Sequence, residues 1–321
     1  MRMIRTLAFL AFGFCVVIVA MKGRAVQARS GDASDIRSGD WTIRHSDEPG
    51  KVEFTLIEHH RGGNSDDGSD WPMSAFSGVD FAKPGRQDVR FSITRDAGRF
   101  DCEGFLNNGE GAGIFHFAAN PSYEAEMREL GFPIDEEKQY GMAVQDVSLE
   151  FARAMKNEHL TGLDADKLVA FRIFNVNQTF IGDVRGAGLN ISDSDKLVAF
   201  RIHGVTPEMV RFLRQAGYAP DEDTLVAMRI HGATPEWMEK LKQRGYDHVD
   251  LEQLIAFRIH GVSPEFIEKL QELGYSHPEP EQLVAMRIHD VTPEYISELR
   301  SRGMEHLSID QLVNLRIQGI D

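Results

Sequence analysis

The stretch LVAFRIHGVTPEMV, Leu197 to Val210, decides the fold because the chain writes it several times. Close copies begin at Leu225 (LVAMRIHGATPEWM), Leu254 (LIAFRIHGVSPEFI) and Leu283 (LVAMRIHDVTPEYI). Positions equivalent to Leu197 fall at Gln139, Leu168, Leu197, Leu225, Leu254, Leu283 and Leu312, with spacings of 29, 29, 28, 29, 29 and 29 residues. Such a period means stacked supersecondary units, each too small to bury its own apolar face.

Capping chemistry resolves each unit into a leading and a trailing helix. Leading helices start four residues before the anchor, at Asp135, Asp164, Asp193, Asp221, Asp250 and Ser308, whose side chains accept hydrogen bonds from the free amides of a helix start. Only Glu279 departs. Gln253 and Gln311 are placed to complete capping boxes with Asp250 and Ser308. Gly204, Gly232 and Gly261 stop the helix in the left-handed conformation. Trailing helices start at Thr206, Thr234, Ser263 and Thr292, each followed by proline at the first helical position, where no amide is missed. Asn120, Ser148 and Asn177 fit the same place. A glycine and an aromatic then end the helix, as in Gly217 and Tyr218, whose spacing from Leu213 suits a Schellman stop. Of 14 expected helix starts, 13 carry a favoured cap. Each is worth ~1 kcal/mol, so the helices are specified locally before tertiary contacts help. Asn314 and Gln318 replace the usual Ala and His in the last unit, which reads as a polar end cap.

Three charged columns run through the units. They are Arg172, Arg201, Arg229, Arg258, Arg287 and Arg316; His203, His231, His260 and His289; and Glu208, Glu236, Glu265 and Glu294. A metal ladder is excluded by distance: neighbouring packed helices sit ~8 to 10 Å apart, whereas each ligand must come within ~2 Å of an ion. The histidines fall at helix C-termini and the glutamates in the first turn of the next helix, both favoured by the helix dipole. The Arg is expected to bridge to such a Glu, its stem packed along the stack. These columns read first as structure.

Upstream, from Ser38 to about Phe117, the pattern has period two: WTIRH, KVEFTLIEHH, DVRFSITRD, GRFDCEGFL and GIFHFAA, separated by Gly, Asp and Asn clusters. Such short antiparallel strands suggest a small sandwich or a rolled sheet. RGGNSDDGSDWP, Arg61 to Pro72, is polar and turn-rich and is expected to be a long exposed loop. The His59–His60 pair reads as a strand end, and NNGEGAGIF from Asn107 as a hairpin turn, since a strand rather than a helix follows its glycines.

The first residues combine Arg2 and Arg5 with a 16-residue apolar run from Thr6 to Met21 and small residues at Val26 and Ala28. This is an export-signal pattern cleaved after Ala28, or else a retained anchor, and either implies an extracytoplasmic body. The expected organisation is therefore 1–28 signal or anchor, 29–37 linker, 38–118 β domain and 119–321 helical array. Cys15 lies in the apolar run and Cys102 alternates with Phe100 on one strand face, so no internal disulfide is expected and Cys102 reads as a buried inert thiol.

A net charge of -15 with no basic stripe excludes nucleic-acid and anionic-membrane surfaces. No HExxH, G-x-S-x-G or Cys with a His partner is present, and no cofactor or metal is expected. VRFSITRDAGRFDCEGFLNNGEGAGIFHFAANPSYEAEMRELGF and the LVAFRIHGVTPE units resemble poorly characterised bacterial exported proteins, and also the extracytoplasmic part of some proteins with a BlaR1-type membrane metallopeptidase domain. That resemblance covers Ser38 to Asp321 and lacks the peptidase part; it implies a sensing or partner-binding role.

The reading is thus an α+β protein, a small antiparallel β domain followed by an α-solenoid of two-helix repeats. It is expected to hold a protein, peptide or envelope ligand on its concave face without catalysis. The contact residues expected from the columns nearest that face are Arg201, His203, Arg229, His231, Arg258, His260, Arg287 and His289. Two alternatives stand beside it: a hydrolytic or carbohydrate-active β domain using Asp101, Glu103 or His116, and a pH sensor built on the 12 histidines.

Overall fold

The computed structural model describes residues 37–60 and 63–320. The apolar run read as an export signal lies outside the described residues, among which no helix is long and apolar enough to cross a membrane.

Six strands form one antiparallel sheet: β1 (Arg37–His45), β2 (Lys51–His60), β3 (Gly63–Pro72), β4 (Arg86–Arg95), β5 (Gly98–Asn107) and β6 (Glu110–Ala119), in the order β3-β2-β1-β6-β5-β4. Two three-stranded meanders are therefore joined through β1 and β6. The sheet is rolled. In a flat sheet Phe54 on β2 and Phe91 on β4 would lie ~19 Å apart, four strand spacings, yet their ring centroids are 6.3 Å apart. Trp41, Phe54, Trp71, Phe76 and Phe91 fill the inside, mostly edge to face at 5.2 to 5.3 Å. Gly104 and Gly113 face each other across β5 and β6, next to Trp41 on β1. A Cβ on either would come within 2.7 Å of the Trp41 indole, so this glycine pair makes the space in which Trp41 is wholly buried.

The segment expected to be a long loop is instead mostly strand β3. It pairs with β2 throughout, from Lys51↔Pro72 to His60↔Gly63. Its Asp, Ser and Gly residues suit an edge strand, where charge discourages pairing with other chains, and period-two hydrophobicity is not needed on a strand with one partner. His59 and His60 do end β2, and Asn108 and Gly109, both with positive φ, form the tight β5–β6 turn.

Fourteen helices follow among the described residues: α1 (Pro121–Glu129), α2 (Glu136–Val144), α3 (Leu149–Asn157), α4 (Ala165–Ile173), α5 (Gln178–Gly186), α6 (Ser194–His203), α7 (Pro207–Gln215), α8 (Glu222–His231), α9 (Pro235–Lys242), α10 (Leu251–His260), α11 (Pro264–Glu272), α12 (Pro280–Ile288), α13 (Pro293–Ser301) and α14 (Ile309–Ile317). Even-numbered helices are the leading ones and touch each other in succession, as a solenoid requires; trailing helices form the second rank.

Twelve of the expected caps accept an amide from within their own helix start. Two differ. Asp250 makes no side-chain cap, and Gln253, expected in its capping box, instead donates to Glu281 of the next unit at 3.0 Å. Glu279, the one unfavoured cap, sits in a reciprocal box with Gln282. The Schellman bonds form: Tyr218, Tyr246 and Tyr275 donate their amides to Leu213, Leu241 and Leu270.

The sheet closes the N-terminal end of the array. Tyr140 of α2 packs on Phe100, Phe115 and Phe117, and the Arg37 guanidinium lies 3.8 Å from the Tyr140 ring centre while pairing with Glu58 and Glu137. Gln139 stands where other units have leucine. It is buried, and its amide nitrogen donates to the carbonyls of Ala97 at 2.7 Å and Asn120 at 2.8 Å, a second donor for groups at the β4–β5 turn and the α1 cap that also accept the amides of Asn120 and Tyr123. Arg95, stacked on Trp71 at the opposite sheet edge, donates to the last carbonyls of α2; burial lowers its pKa to about 10.

Candidate functional site

Two faces of each leading helix are apolar. In the unit around Leu197, Leu197 and Phe200 point into the core and are fully buried, as are their equivalents Leu225 and Met228. The opposite face carries residues at offsets of three and seven, which lie on one side of a helix. A carboxylate comes first (Asp166, Asp195, Asp223, Glu252, Glu281, Asp310) and is exposed in every unit. A half-buried aliphatic residue follows three positions later (Val169, Val198, Val226, Ile255, Val284, Val313). An isoleucine ends the face: Ile173, Ile202, Ile230, Ile259, Ile288 and Ile317, between 36% and 59% exposed. Because the leading helices stack side by side, these become three parallel rows along the array, one acidic and two apolar. Six exposed isoleucines in register differ from single surface apolar residues, which are ordinary.

The residues expected to make contact sit on either side of each isoleucine. Every Arg of the column reaches back to the preceding unit. Arg229, Arg258 and Arg287 donate Nε to the carbonyls of His203, His231 and His260 at 3.0 to 3.3 Å, and Arg201 donates to Phe174 and Asn175. Arg201, Arg258 and Arg287 also lie over Phe180, Trp237 and Phe266 of the preceding trailing helix, at 4.5 to 5.2 Å. Each guanidinium thus closes the open C-terminus of one helix while stacking on an aromatic of another. A glutamate partner was expected, and a carbonyl takes its place: Glu208 pairs with Arg211 in its own helix, and Glu294 with Lys269. Gly204, Gly232 and Gly261 keep room for the incoming Arg, whose Nη2 would lie 2.8 to 3.1 Å from a Cβ there.

His203, His231 and His260 are the last residues of α6, α8 and α10, and His289 caps α12. All four are half-buried. The seam uses the backbone carbonyls of the first three; for the fourth, Arg316 turns to Asp290, by both carbonyl and carboxylate. Glu208, Glu236, Glu265 and Glu294 have carboxyl pKa values held below the ordinary range, chiefly by accepting their own backbone N–H at the helix start.

On the sheet, Asp101, Glu103 and His116 all point outward, on the face opposite the aromatic core. Asp101 and His116 are direct cross-strand partners. Ser92 Oγ donates to Asp101 at 2.6 Å and Arg99 Nε donates to the other oxygen at 3.0 Å, so Asp101 is held ionised, mainly by the serine. Glu103 is paired with Arg90 at 3.2 Å. The neighbouring open groove, about 990 Å³, has Asp40, Asp88, Arg90, Phe105 and Ile114 on its walls. Cys102 is buried on the inner face, and burial pushes its thiol up to about 12. Among the described residues, no group of three or more His, Cys, Asp or Glu could hold a metal ion.

The isoleucine row is the feature that sequence reasoning leaves out. Apolar residues are assigned to the core by default, and the Arg and His on either side draw attention by their charge. The signal is present all the same: an apolar residue seven positions after a carboxylate, on the face opposite Leu and Phe. No family model matches the chain, and a search of curated proteins finds no match.

Proposed function

We propose that the protein is a non-catalytic, extracytoplasmic binding scaffold that holds a protein or peptide partner along the outward face of its leading helices. The observation that carries this reading is the register of six exposed isoleucines on the leading helices of the array. An apolar strip of this kind costs solubility and contributes nothing to the core, which Leu and Phe of the same helices already fill. Burial on a partner would stabilise the complex by about 25 cal/mol for each Å² removed from water. The extracytoplasmic location rests on the apolar run from Thr6 to Met21.

Photo-crosslinking tests the reading. A benzophenone side chain at position 259 or 288 should give discrete adducts in the envelope fraction, and one at 239 or 272 on trailing helices should not. Adducts from the leading rank should vanish in an Ile230→Ser, Ile317→Ser background. Equal labelling from both ranks, or none from the leading rank, would refute it.

A further inference from the structure

The binding reading leaves the partner's chemistry open, and the rows beside the isoleucines narrow it. In the first half of the array the carboxylate row is neutralised by the preceding unit. Lys138 pairs with Asp166 at 2.9 Å, and Lys167 and Lys196 pair with Asp195 and Asp223. Beyond that point the lysine position holds Thr224, Gln253, Gln282 and Gln311. Gln253 bonds Glu281 as a neutral amide, and Gln282 and Gln311 turn back to their own helix starts. Glu252, Glu281 and Asp310 therefore make no ion pair among the described residues, while each sits seven positions before an exposed isoleucine on the same helix face. The array as a whole, residues 120–321, has 34 Asp and Glu against 21 Lys and Arg.

We infer that the outward face of α8, α10, α12 and α14 docks a cationic amphipathic helix of a partner protein, its apolar side chains on Ile230, Ile259, Ile288 and Ile317 and its Lys or Arg on Glu252, Glu281 and Asp310. This rests on the binding reading above. Charge complementarity selects the sign: the arginines beside the isoleucines are bonded to carbonyls of the preceding unit, whereas Glu252, Glu281 and Asp310 make no ion pair among the described residues and would repel an acidic segment, a nucleic acid or an anionic lipid surface. Spacing selects the helix. Packed leading helices step ~8 to 10 Å from one to the next, and a helix returns a side chain to the same face every seven residues, ~10.5 Å. Three such steps span about 20 residues, an ordinary recognition helix.

The test uses the full chain and three fluorescent peptides of about 21 residues, compared by anisotropy. One repeats leucine every seven positions with lysine beside it, the second has glutamate for lysine, and the third is a scramble of the first. The lysine peptide should bind, weaken as salt rises, and lose affinity about tenfold against Glu252→Gln/Glu281→Gln/Asp310→Asn. It should lose at least as much against Ile259→Ser/Ile288→Ser. A control of equal charge loss, Glu239→Gln/Glu272→Gln/Glu305→Gln, should stay within about twofold, with circular dichroism checking that every variant remains helical.

If the control weakens binding as much as the row variant, the general field is responsible and the inference is wrong. If the glutamate peptide binds better and its binding needs the isoleucines, the cationic partner is wrong while the docking face stands. If isoleucine replacement changes neither peptide's binding and the crosslinks are also absent, the binding reading falls with it.

Discussion

The rolled sheet and the helical array solve the same problem, burial of apolar surface, with opposite economies of contact. In the sheet each stabilising contact occurs once and joins residues far apart in sequence: Trp41 over the Gly104–Gly113 pair, Phe54 against Phe91, Arg95 over Trp71. In the array one seam recurs, an Arg reaching back to a carbonyl 26 or 27 residues earlier and over an aromatic of the preceding unit. A defect in the sheet therefore has nothing to fall back on, whereas a defect in one seam leaves the others intact. Stability in such an array is close to a sum of units and nearest-neighbour terms, and can fail locally.

The sharpest way to break this contrast is Trp41→Ala. It removes the indole that lies against the glycine pair and should cost about 3 to 5 kcal/mol. Loss of the sheet's hydrogen-exchange protection with the distal helices α10 to α14 still protected is the expected pattern; uniform loss would show that sheet and array unfold as one. Next comes the junction. Gln139→Leu restores the repeat consensus but removes two buried hydrogen bonds, the Ala97 and Asn120 carbonyls keeping those from the amides of Asn120 and Tyr123, so this apparent improvement should destabilise by about 1 to 2 kcal/mol in urea melts.

Within the array, Arg258→Ala removes both the bond to the His231 carbonyl and the stack on Trp237, a loss of about 1 to 2 kcal/mol confined to adjacent units. Arg229→Ala sharpens the point. In the preceding unit Met209 occupies the place of the aromatic, so the loss should be smaller by about 0.5 to 1 kcal/mol. Equal losses would mean that the ring contributes nothing.

The smallest effect is on acid stability. Glu208, Glu236, Glu265 and Glu294 have folded pKa values below the ordinary 4.5. Between the two values the folded state binds fewer protons than the unfolded chain. Their contribution is therefore complete above about pH 4.5 and is lost as the pH falls through the folded values. A variant with all four changed to Gln should have a flatter midpoint-versus-pH curve below pH 4.5 than the parent, and the same curve near neutrality apart from a constant offset.

How much of this is legible in the sequence follows from the range of each interaction. Caps act within three residues, so Thr206, Asp221 and Ser263 announce their helices, and the 29-residue period announces the stack. Strand β3 is hidden because an edge strand with polar side chains has no periodic signature of its own; its pairing with β2 supplies it. Gln139 looks like an irregularity until the turn at Ala97, 42 residues earlier, is brought against it. The Arg column reads as charge seeking charge, since nothing local says that an open helix end 26 residues back will be the acceptor. The isoleucine row depends on knowing which side of a helix the stack has already used.

The tyrosine hydroxyls point to one last property. Tyr218, Tyr246 and Tyr275 donate forward, 31 or 32 residues on, to the carbonyls of Val249, Pro278 and Leu307, as the arginines donate backward. The three modules from α6 to α11 thus carry half of two joints each, one socket and one plug, whereas the flanking units have Leu189 and Met304 in place of the tyrosine. A copy of one of these three could be spliced in or cut out among them with both joints re-formed, lengthening or shortening the greasy rail by one rung while the sheet stays as it is.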